Sequence, residues 1–178
     1  LQTTYGWEIG SHTATHPYLA SDGGGEQAGL LTTAQITKEL ADSKNAIATN
    51  TGVTPTAFAS PYGDYNPSGN PVLSEVAKLY TSHRGFADTG YNITPWNTTD
   101  VLAADNVPLN NYLIRNQQVQ SGTSVATVKT YIDKAITDNA WLVLTFHEIK
   151  ANNASTSADD YQYNNADLDA IAAYAKSK

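Results

Sequence analysis

The chain has 178 residues, 40% of them apolar, which is enough to bury the core of one domain, so we predict a single domain over residues 1–178. Its net charge of -7 argues against nucleic acid or an anionic membrane as a partner, and no apolar run reaches the roughly 20 residues of a membrane span. Because Cys is absent, disulfides and thiolate metal sites are excluded, and a transition metal would need His, Asp, Glu or water.

The first residues, Leu1–Tyr5, have neither the basic start nor the apolar stretch of a signal peptide, and the chain has no initiating Met. We therefore expect a processed or partial chain. Asn, Thr, Ser, Gln and Tyr supply most of the polar residues, a composition that fits a secreted carbohydrate-active protein. An extracellular or cell-surface location is the expectation that follows.

The N-terminal third predicts a strand, two loops and a helix. Trp7-Glu8-Ile9 is typical of a strand that delivers the segment with His12 and His16, and residues 21–25 form a Gly-rich loop. Thr32-Thr33-Ala34-Gln35 matches a capping box, and Gly52 supplies a stop. We predict a helix between them.

The middle of the chain predicts a strand, a turn, a helix and a second strand. Residues 57–60 form the first strand, and Pro61-Tyr62-Gly63-Asp64 closes it with a turn. Asn70-Pro71 opens the helix, and residues 82–86 form the next strand.

The C-terminal half continues the alternation with a strand over residues 112–115 and a helix capped by Ser124. The apolar run Trp141–His147 predicts a buried strand, and residues 165–175 a last amphipathic helix. Strands alternating with helices imply a largely parallel sheet, open or closed into a barrel, with its site at the carboxyl ends of the strands.

Two histidines are the best candidates for metal ligands. His12 and His16 are four residues apart, so on a helical turn both imidazoles would share one face and bind the same ion. A third ligand is needed, and Asp64, Asp88 and Glu148 follow predicted strands. The alternative is that both His are ordinary surface or core residues.

Two further motifs have a functional and a structural interpretation. His147 ends an apolar strand, where a semi-buried imidazole is suited to general acid catalysis or simply satisfies a core carbonyl. Pro61-Tyr62-Gly63 is either a plain turn or a turn whose backbone N–H binds an oxyanion.

These motifs resemble those of the polysaccharide deacetylases, a family that includes chitin and peptidoglycan deacetylases and acetylxylan esterases. Residues 10–17, Gly-Ser-His-Thr-Ala-Thr-His-Pro, resemble its His-Ser/Thr-x-x-His metal motif, so the resemblance makes His12 and His16 metal ligands. Residues 58–63 resemble the motif that forms the side of the groove. Pro61 and Tyr62 would then contact substrate, and the Tyr62 N–H would help to bind the oxyanion.

The last part of the chain resembles the family's last motif. By this resemblance His147 is the catalytic acid and Leu144 lines an acetate pocket. Asp88 stands about where the family keeps an Asp that supports the site, although the Trp expected beside it is out of register.

The sequence departs from the family pattern at two points. No Asp-Asp-Gly occurs, the motif that supplies the catalytic base and the metal-binding carboxylate, so we expect this chain to begin after the first strands of the domain. Ala59 stands where the family usually has an Arg that orients the base. Arg84, at the end of the next predicted strand, is a candidate to replace it, with a plain surface cation as the alternative.

The resemblance implies an α/β fold, a deformed (β/α) barrel that lacks its first strands. It also implies a metal-dependent hydrolase, with zinc as the divalent metal and cobalt or nickel as alternatives, in which a metal-activated water deacetylates N- or O-acetylated polysaccharides or oligosaccharides. Tyr65, Tyr91 and Trp96 are candidates to stack on sugar rings.

The sequence is also compatible with two rival functions. One is a catalytically inactive carbohydrate-binding or interaction domain with the same fold. The other is a glycosidase, which needs two acids about 5–10 Å apart, a pair that the sequence does not single out. The oligomeric state is not indicated by the sequence.

Overall fold

A computed structural model of the chain describes residues 2–65, 71–93, 101–102, 107–151 and 161–178. The chain forms two compact units. Unit 1 comprises Leu1–Asp88 and Trp96–Ile114, and unit 2 comprises Thr89–Pro95 and Arg115–Lys178. The single domain stays a prediction. None of the helices in the described ranges combines the length and apolar character that crossing a membrane requires.

In chain order the elements are α1 (Gln2–Tyr5), α2 (Thr33–Thr51), β1 (Ala57–Ala59), α3 (Val72–Leu79), β2 (Ser82–Thr89), β3 (Asn92–Ile93), β4 (Val101–Leu102), β5 (Val107–Pro108), α4 (Leu109–Tyr112), β6 (Ile114–Gln118), α5 (Val125–Thr137), β7 (Ala140–Trp141), β8 (Leu144–Thr145), β9 (Glu148–Lys150), β10 (Gln162–Asn164) and α6 (Asn165–Lys176). A 3-10 turn, Pro61–Gly63, follows β1.

Helix α2 begins and ends where the sequence predicts. The Thr32 side chain accepts a hydrogen bond from Gln35 N, and the Gln35 side chain accepts one from Thr32 N at 2.9 Å, so two N–H groups at the helix start are satisfied. Gly52 ends the helix with a φ of 74°, a conformation that glycine adopts without steric cost. The buried face contains Ile36 and Leu40, each worth about 1.5–3 kcal/mol when fully buried.

Unit 1 is built on parallel strands covered by helices. β1 pairs in parallel with β2, with Ala59 directly opposite Arg84. The core between these elements is formed by aliphatic and aromatic side chains, namely Leu19, Ile36, Leu40, Phe58, Tyr65, Val72, Leu73, Val76, Tyr80 and Tyr112. The short β4 and β5 pair antiparallel.

Unit 2 has the same α/β character. β6 pairs in parallel with β8, β9 pairs in parallel with β10, and β3 pairs antiparallel with β7. Helices α5 and α6 are capped by Ser124 and Asn164, whose side chains accept from Thr127 N and Ala166 N. Its core contains Val119, Val128, Ile132, Tyr163 and Ile171. The prediction of an α/β fold is confirmed, and its closure into a deformed barrel stays a prediction.

Two of the predicted strands have different bounds in the structure. The strand predicted over residues 82–86 continues to Thr89, so Arg84 is its third residue and does not lie at its end. Tyr112 ends α4, and its hydroxyl donates to Tyr80 O at 2.7 Å. The next strand therefore starts at Ile114, two residues later than predicted.

The run Trp141–His147 is not one buried strand. Trp141 pairs antiparallel with Asn92, whereas Leu144 pairs in parallel with Gln117, so the run changes partner in between. Asn92 takes part in this change, since its side-chain amide donates to Arg115 O and Trp141 O and accepts from Arg115 N. Composition alone does not indicate such a change of partner.

Candidate metal and substrate site

The segment that leads to His12 is held by a single residue of β-structure. Ser11 N donates to Ala57 O at 2.9 Å, and Ala59 N donates to Ser11 O at 3.0 Å, so Ser11 bridges to Phe58 in parallel. The strand predicted over Trp7–Ile9 does not form. His12 follows directly after this bridge.

A buried hydrogen-bond network lies beneath the bridge. Ser11 Oγ is 2.8 Å from Ser43 Oγ on α2 and 2.8 Å from the Tyr80 hydroxyl, which also lies 2.8 Å from Leu40 O. Burial raises the pKa of Tyr80, so its hydroxyl stays protonated. The network fixes the backbone immediately before His12.

His12 and His16 lie on an irregular turn and not on the helical turn that their spacing predicts. Thr13 and His16 have φ of 67° and 63°, in the left-handed region that costs a non-glycine residue about 1–2 kcal/mol. Local bonds offset this cost: Thr13 Oγ1 accepts from His16 N at 3.1 Å, and the Glu39 carboxylate accepts from Ala14 N and Thr15 N.

The turn brings the two imidazoles together. Their ring centres are 4.9 Å apart with an interplanar angle of 73°. Two imidazoles that share a tetrahedral zinc ion, at Zn–N distances of about 2.0–2.1 Å, have ring centres about 5 Å apart. The spacing therefore suits a shared metal.

The tautomer of His12 also suits a metal ligand. His12 Nδ1 lies 2.8 Å from Ala59 O, and because a carbonyl only accepts, Nδ1 carries the proton. In the neutral ring Nε2 then has the lone pair, which is the arrangement usual for metal-binding histidines. The donor chemistry of the pair therefore fits a divalent cation.

Among the described side chains, no third metal ligand lies beside this pair. Within the described ranges, no group of three His, Cys, Asp or Glu side chains could hold a metal ion. Asp64 instead uses Oδ2 to accept from Ala20 N at 2.8 Å and Ser21 N at 2.9 Å, which fixes the loop after Leu19. Glu148 pairs with Lys150 in unit 2, and the side chain of Asp88 lies outside the described part.

Tyr62 lies beside the histidines. Its ring centre is 4.7 Å from that of His16, and its side chain is 48% exposed. Tyr62 has a φ of 57°, and the bonds of the 3-10 turn come from Gly63 N to Ser60 O and Asp64 N to Pro61 O. The turn itself therefore does not use the Tyr62 N–H. Pro61 is buried beneath it.

Tyr18 supports Tyr62 from the loop that follows the histidines. Their rings stack with centres 4.0 Å apart and an interplanar angle of 11°. The Tyr18 hydroxyl donates to Glu26 Oε2 at 2.9 Å, and this hydrogen bond is the main reason that the pKa of Tyr18 rises to about 12. Gly23 covers the ring so closely that a Cβ there would lie 2.3 Å from Tyr18 Cε2.

His83 is a fully buried histidine that sequence reasoning did not select. Its Nδ1 lies 2.7 Å from Tyr112 O and its Nε2 2.8 Å from Ser60 Oγ, so both ring nitrogens are bonded. Ser60 directly precedes the 3-10 turn. His83 therefore holds the start of the turn that carries Tyr62.

Arg84 lies opposite Ala59, the position at which the family pattern has its Arg. Side chains of directly opposite residues in a parallel pair lie on the same face of the sheet, so Arg84 is on the face of Ala59. Arg84 is half-buried and donates to Gly85 O at 3.1 Å, and burial lowers the pKa of its guanidinium. Among the side chains described, no carboxylate forms an ion pair with Arg84.

The other predicted site residues lie in unit 2. His147 is exposed, not semi-buried as predicted, because β8 ends at Thr145; its ring centre is 4.8 Å from that of Tyr161. Leu144, together with Leu142, Ile132 and Ile136, lines an apolar hollow of about 540 Å³. Their roles as acid and pocket residue stay predictions.

The candidate sugar-stacking residues differ in exposure. Tyr65 is only 7% exposed and packs edge-on against His83 in the core, so it cannot stack on a sugar. Tyr91 is half-buried, with Lys134 Nζ 5.5 Å from its ring centre. Trp96 lies outside the described residues.

A sequence signal pointed to one of the residues that the predictions missed. Ser43 lies on the apolar stripe of α2 after Ile36 and Leu40, and a polar residue on a buried stripe indicates a buried hydrogen bond. Glu39 and Tyr18 carry no such signal, because charged and aromatic residues beside a stripe or in a loop are common.

Part of the chain matches a known protein family. A family model described as polysaccharide deacetylase matches residues 2–78, a range that contains His12, His16, Pro61 and Tyr62. None of the curated proteins matches the chain.

Proposed function

We propose that the protein is a metal-dependent hydrolase that removes acetyl groups from N- or O-acetylated polysaccharides or oligosaccharides, because residues 2–78 match a family model described as polysaccharide deacetylase. The proposal includes the deformed barrel of that family and an extracellular or cell-surface location. The observation that carries it is the pair of imidazoles 4.9 Å apart, with His12 Nδ1 bonded to Ala59 O.

In this proposal His12 and His16 hold the divalent cation, with zinc preferred over cobalt or nickel. The cation, when bound, supplies Lewis-acid polarisation of the acetyl carbonyl and lowers the pKa of water. The Tyr62 N–H donates to the oxyanion that develops on the acetyl group. Pro61 and the Tyr62 ring form one side of the substrate groove, and Tyr18 keeps that ring in place through the stack.

The remaining roles concern protons and the acetyl methyl group. His147 donates a proton to the departing amine or alcohol, and Leu144 contacts the methyl group. The base is a carboxylate of the Asp-Asp-Gly motif, which these 178 residues do not contain. Arg84 orients it, a role supported by its half-buried guanidinium on the face of Ala59, which forms no ion pair with any described carboxylate, and Asp88 supports the site.

The test uses the full-length protein, with acetate release from acetylated oligosaccharides and zinc affinity measured separately. His16→Ala removes a direct ligand, so we expect zinc affinity to fall by more than about 100-fold, beyond the loss typical of an outer-shell partner. His147→Gln is the matched control, since it leaves zinc affinity unchanged while acetate release falls.

A different result supports the rival function. If the zinc-loaded full-length protein binds acetylated oligosaccharides and releases no acetate, the inactive carbohydrate-binding domain replaces the deacetylase. If His16→Ala leaves zinc affinity at the wild-type value, the metal site itself is wrong.

A further inference from the structure

We propose that Glu39 of α2 is the positioning residue of the His12–His16 turn. Its carboxylate holds the turn in the conformation that presents both imidazoles to one metal ion. This inference rests on the metal site proposed above and goes beyond it, because Glu39 is outside the residues that the motif names.

The contacts of Glu39 are concentrated at the centre of the turn. Glu39 Oε2 accepts from Ala14 N at 3.0 Å and from Thr15 N at 2.9 Å, while Oε1 accepts from Thr15 Oγ1 at 2.8 Å. Ala14 and Thr15 are two of the three residues between the histidines. One carboxylate therefore fixes both N–H groups and one side chain within the turn.

The turn needs such an anchor because no helix or sheet hydrogen bonds organise it. Thr13 and His16 both adopt left-handed φ, so the backbone is held away from its preferred conformations on either side of Ala14 and Thr15. Two consecutive N–H groups directed at one oxygen form an anion-binding concavity. A carboxylate satisfies it with charge-assisted bonds.

Helix α2 provides a rigid base for this anchor. Leu40, next to Glu39, is fully buried, and Ser43, one turn further along, bonds to Ser11 Oγ at 2.8 Å. The helix therefore holds the chain at two points, directly before His12 and directly before His16. Its position determines where both imidazoles lie.

A neutral side chain of the same shape weakens the bonds that the carboxylate makes. In Glu39→Gln the amide oxygen still accepts from the two N–H groups and the NH₂ can donate to Thr15 Oγ1, but the bonds lose the negative charge that strengthens them. Glu39→Asp keeps the charge but is one methylene shorter. Asp42→Asn is a matched control, because Asp42 is on the same helix, is exposed, and pairs only with Lys38 among the described side chains.

The experiment measures zinc affinity of the full-length protein by chelator competition, together with hydrogen exchange of the Ala14 and Thr15 amides in the metal-free state. We expect Glu39→Gln to weaken zinc binding by about 10–100-fold, the range typical of outer-shell partners. The two amides should exchange faster, while exchange in the core of α2 stays the same. Glu39→Asp should restore part of the affinity, and Asp42→Asn should match the wild type.

The possible results separate this inference from the function on which it rests. If His16→Ala weakens zinc binding and Glu39→Gln does not, Glu39 is not a positioning residue although the metal site stands. If Glu39→Gln speeds exchange throughout α2, the residue serves the fold and the inference is wrong. If His16→Ala leaves zinc binding unchanged, the metal site and this inference both fail.

Discussion

The turn of unit 1 that carries His12 and the segment of unit 2 that carries His147 are organised in different ways. The turn is anchored by Ser11 and Glu39, through a buried network and a carboxylate. His147 is exposed between the two-residue strand β8 and the three-residue strand β9. The family match covers the first region and not the second. The turn with the proposed metal ligands is thus held by contacts within unit 1, while His147 of unit 2 lies between two short strands.

The largest effect should come from His147, because it tests whether unit 2 contributes chemistry. We expect His147→Gln to lower kcat by about 10²–10⁴-fold, the range for loss of a general acid, with zinc affinity unchanged. Steady-state kinetics with acetylated oligosaccharides measure it. Tyr161→Phe, which keeps the neighbouring ring, is the control. A kcat equal to that of the wild type would remove unit 2 from the mechanism.

Substitution of Arg84 tests whether this residue of β2 takes the role of the family's Arg, whose position is occupied by Ala59. We expect Arg84→Ala to lower kcat/KM by about 10–100-fold, because the carboxylate base would no longer be held in the position that proton abstraction requires. Arg84→Lys keeps the charge and loses the planar fork, so it should recover only part of the rate. Deacetylation unchanged in Arg84→Ala would make this residue an ordinary structural cation.

The buried network of unit 1 can be compared with a less buried counterpart in unit 2. We expect Tyr80→Phe to lower the free energy of unfolding by about 1–2 kcal/mol, since Ser11 and Leu40 O lose a buried partner. Tyr174→Phe, which removes a hydroxyl bonded to the half-buried Asp133, should cost less. Urea denaturation of both variants measures the difference. If both variants lost the same free energy of unfolding, burial would not explain the stability that each hydroxyl contributes.

The smallest effect concerns the Tyr18–Glu26 pair at high pH. Because the pKa of Tyr18 is raised to about 12, its contribution to stability is complete below the unfolded value near 10 and disappears as pH rises through about 12. In Glu26→Gln the pKa should return toward 10. Tyrosine NMR titration, with Tyr18→Phe to assign the signal, measures it. An unchanged pKa would mean that Glu26 is not the cause.

The sequence by itself determined the features that depend on neighbouring residues. The capping box at Thr32 and the glycine at position 52 define α2, and Ser124 begins α5, because caps act within one turn. The histidine motif and the turn Pro61–Gly63 could also be identified from the sequence, since the residues of each motif are only a few positions apart. The family comparison confirmed the resemblance that these motifs supported.

Tertiary structure decided everything that depends on contacts distant in sequence. Glu39 reaches Ala14 across 25 residues, and Tyr80 reaches Ser11 across 69, which no local pattern encodes. The register of β1 and β2 placed Arg84 opposite Ala59, and a change of partner divided the apolar run after Trp141. Local patterns fix caps and turns because their atoms are already close along the chain, whereas the partners of a buried polar group are set only when the core packs.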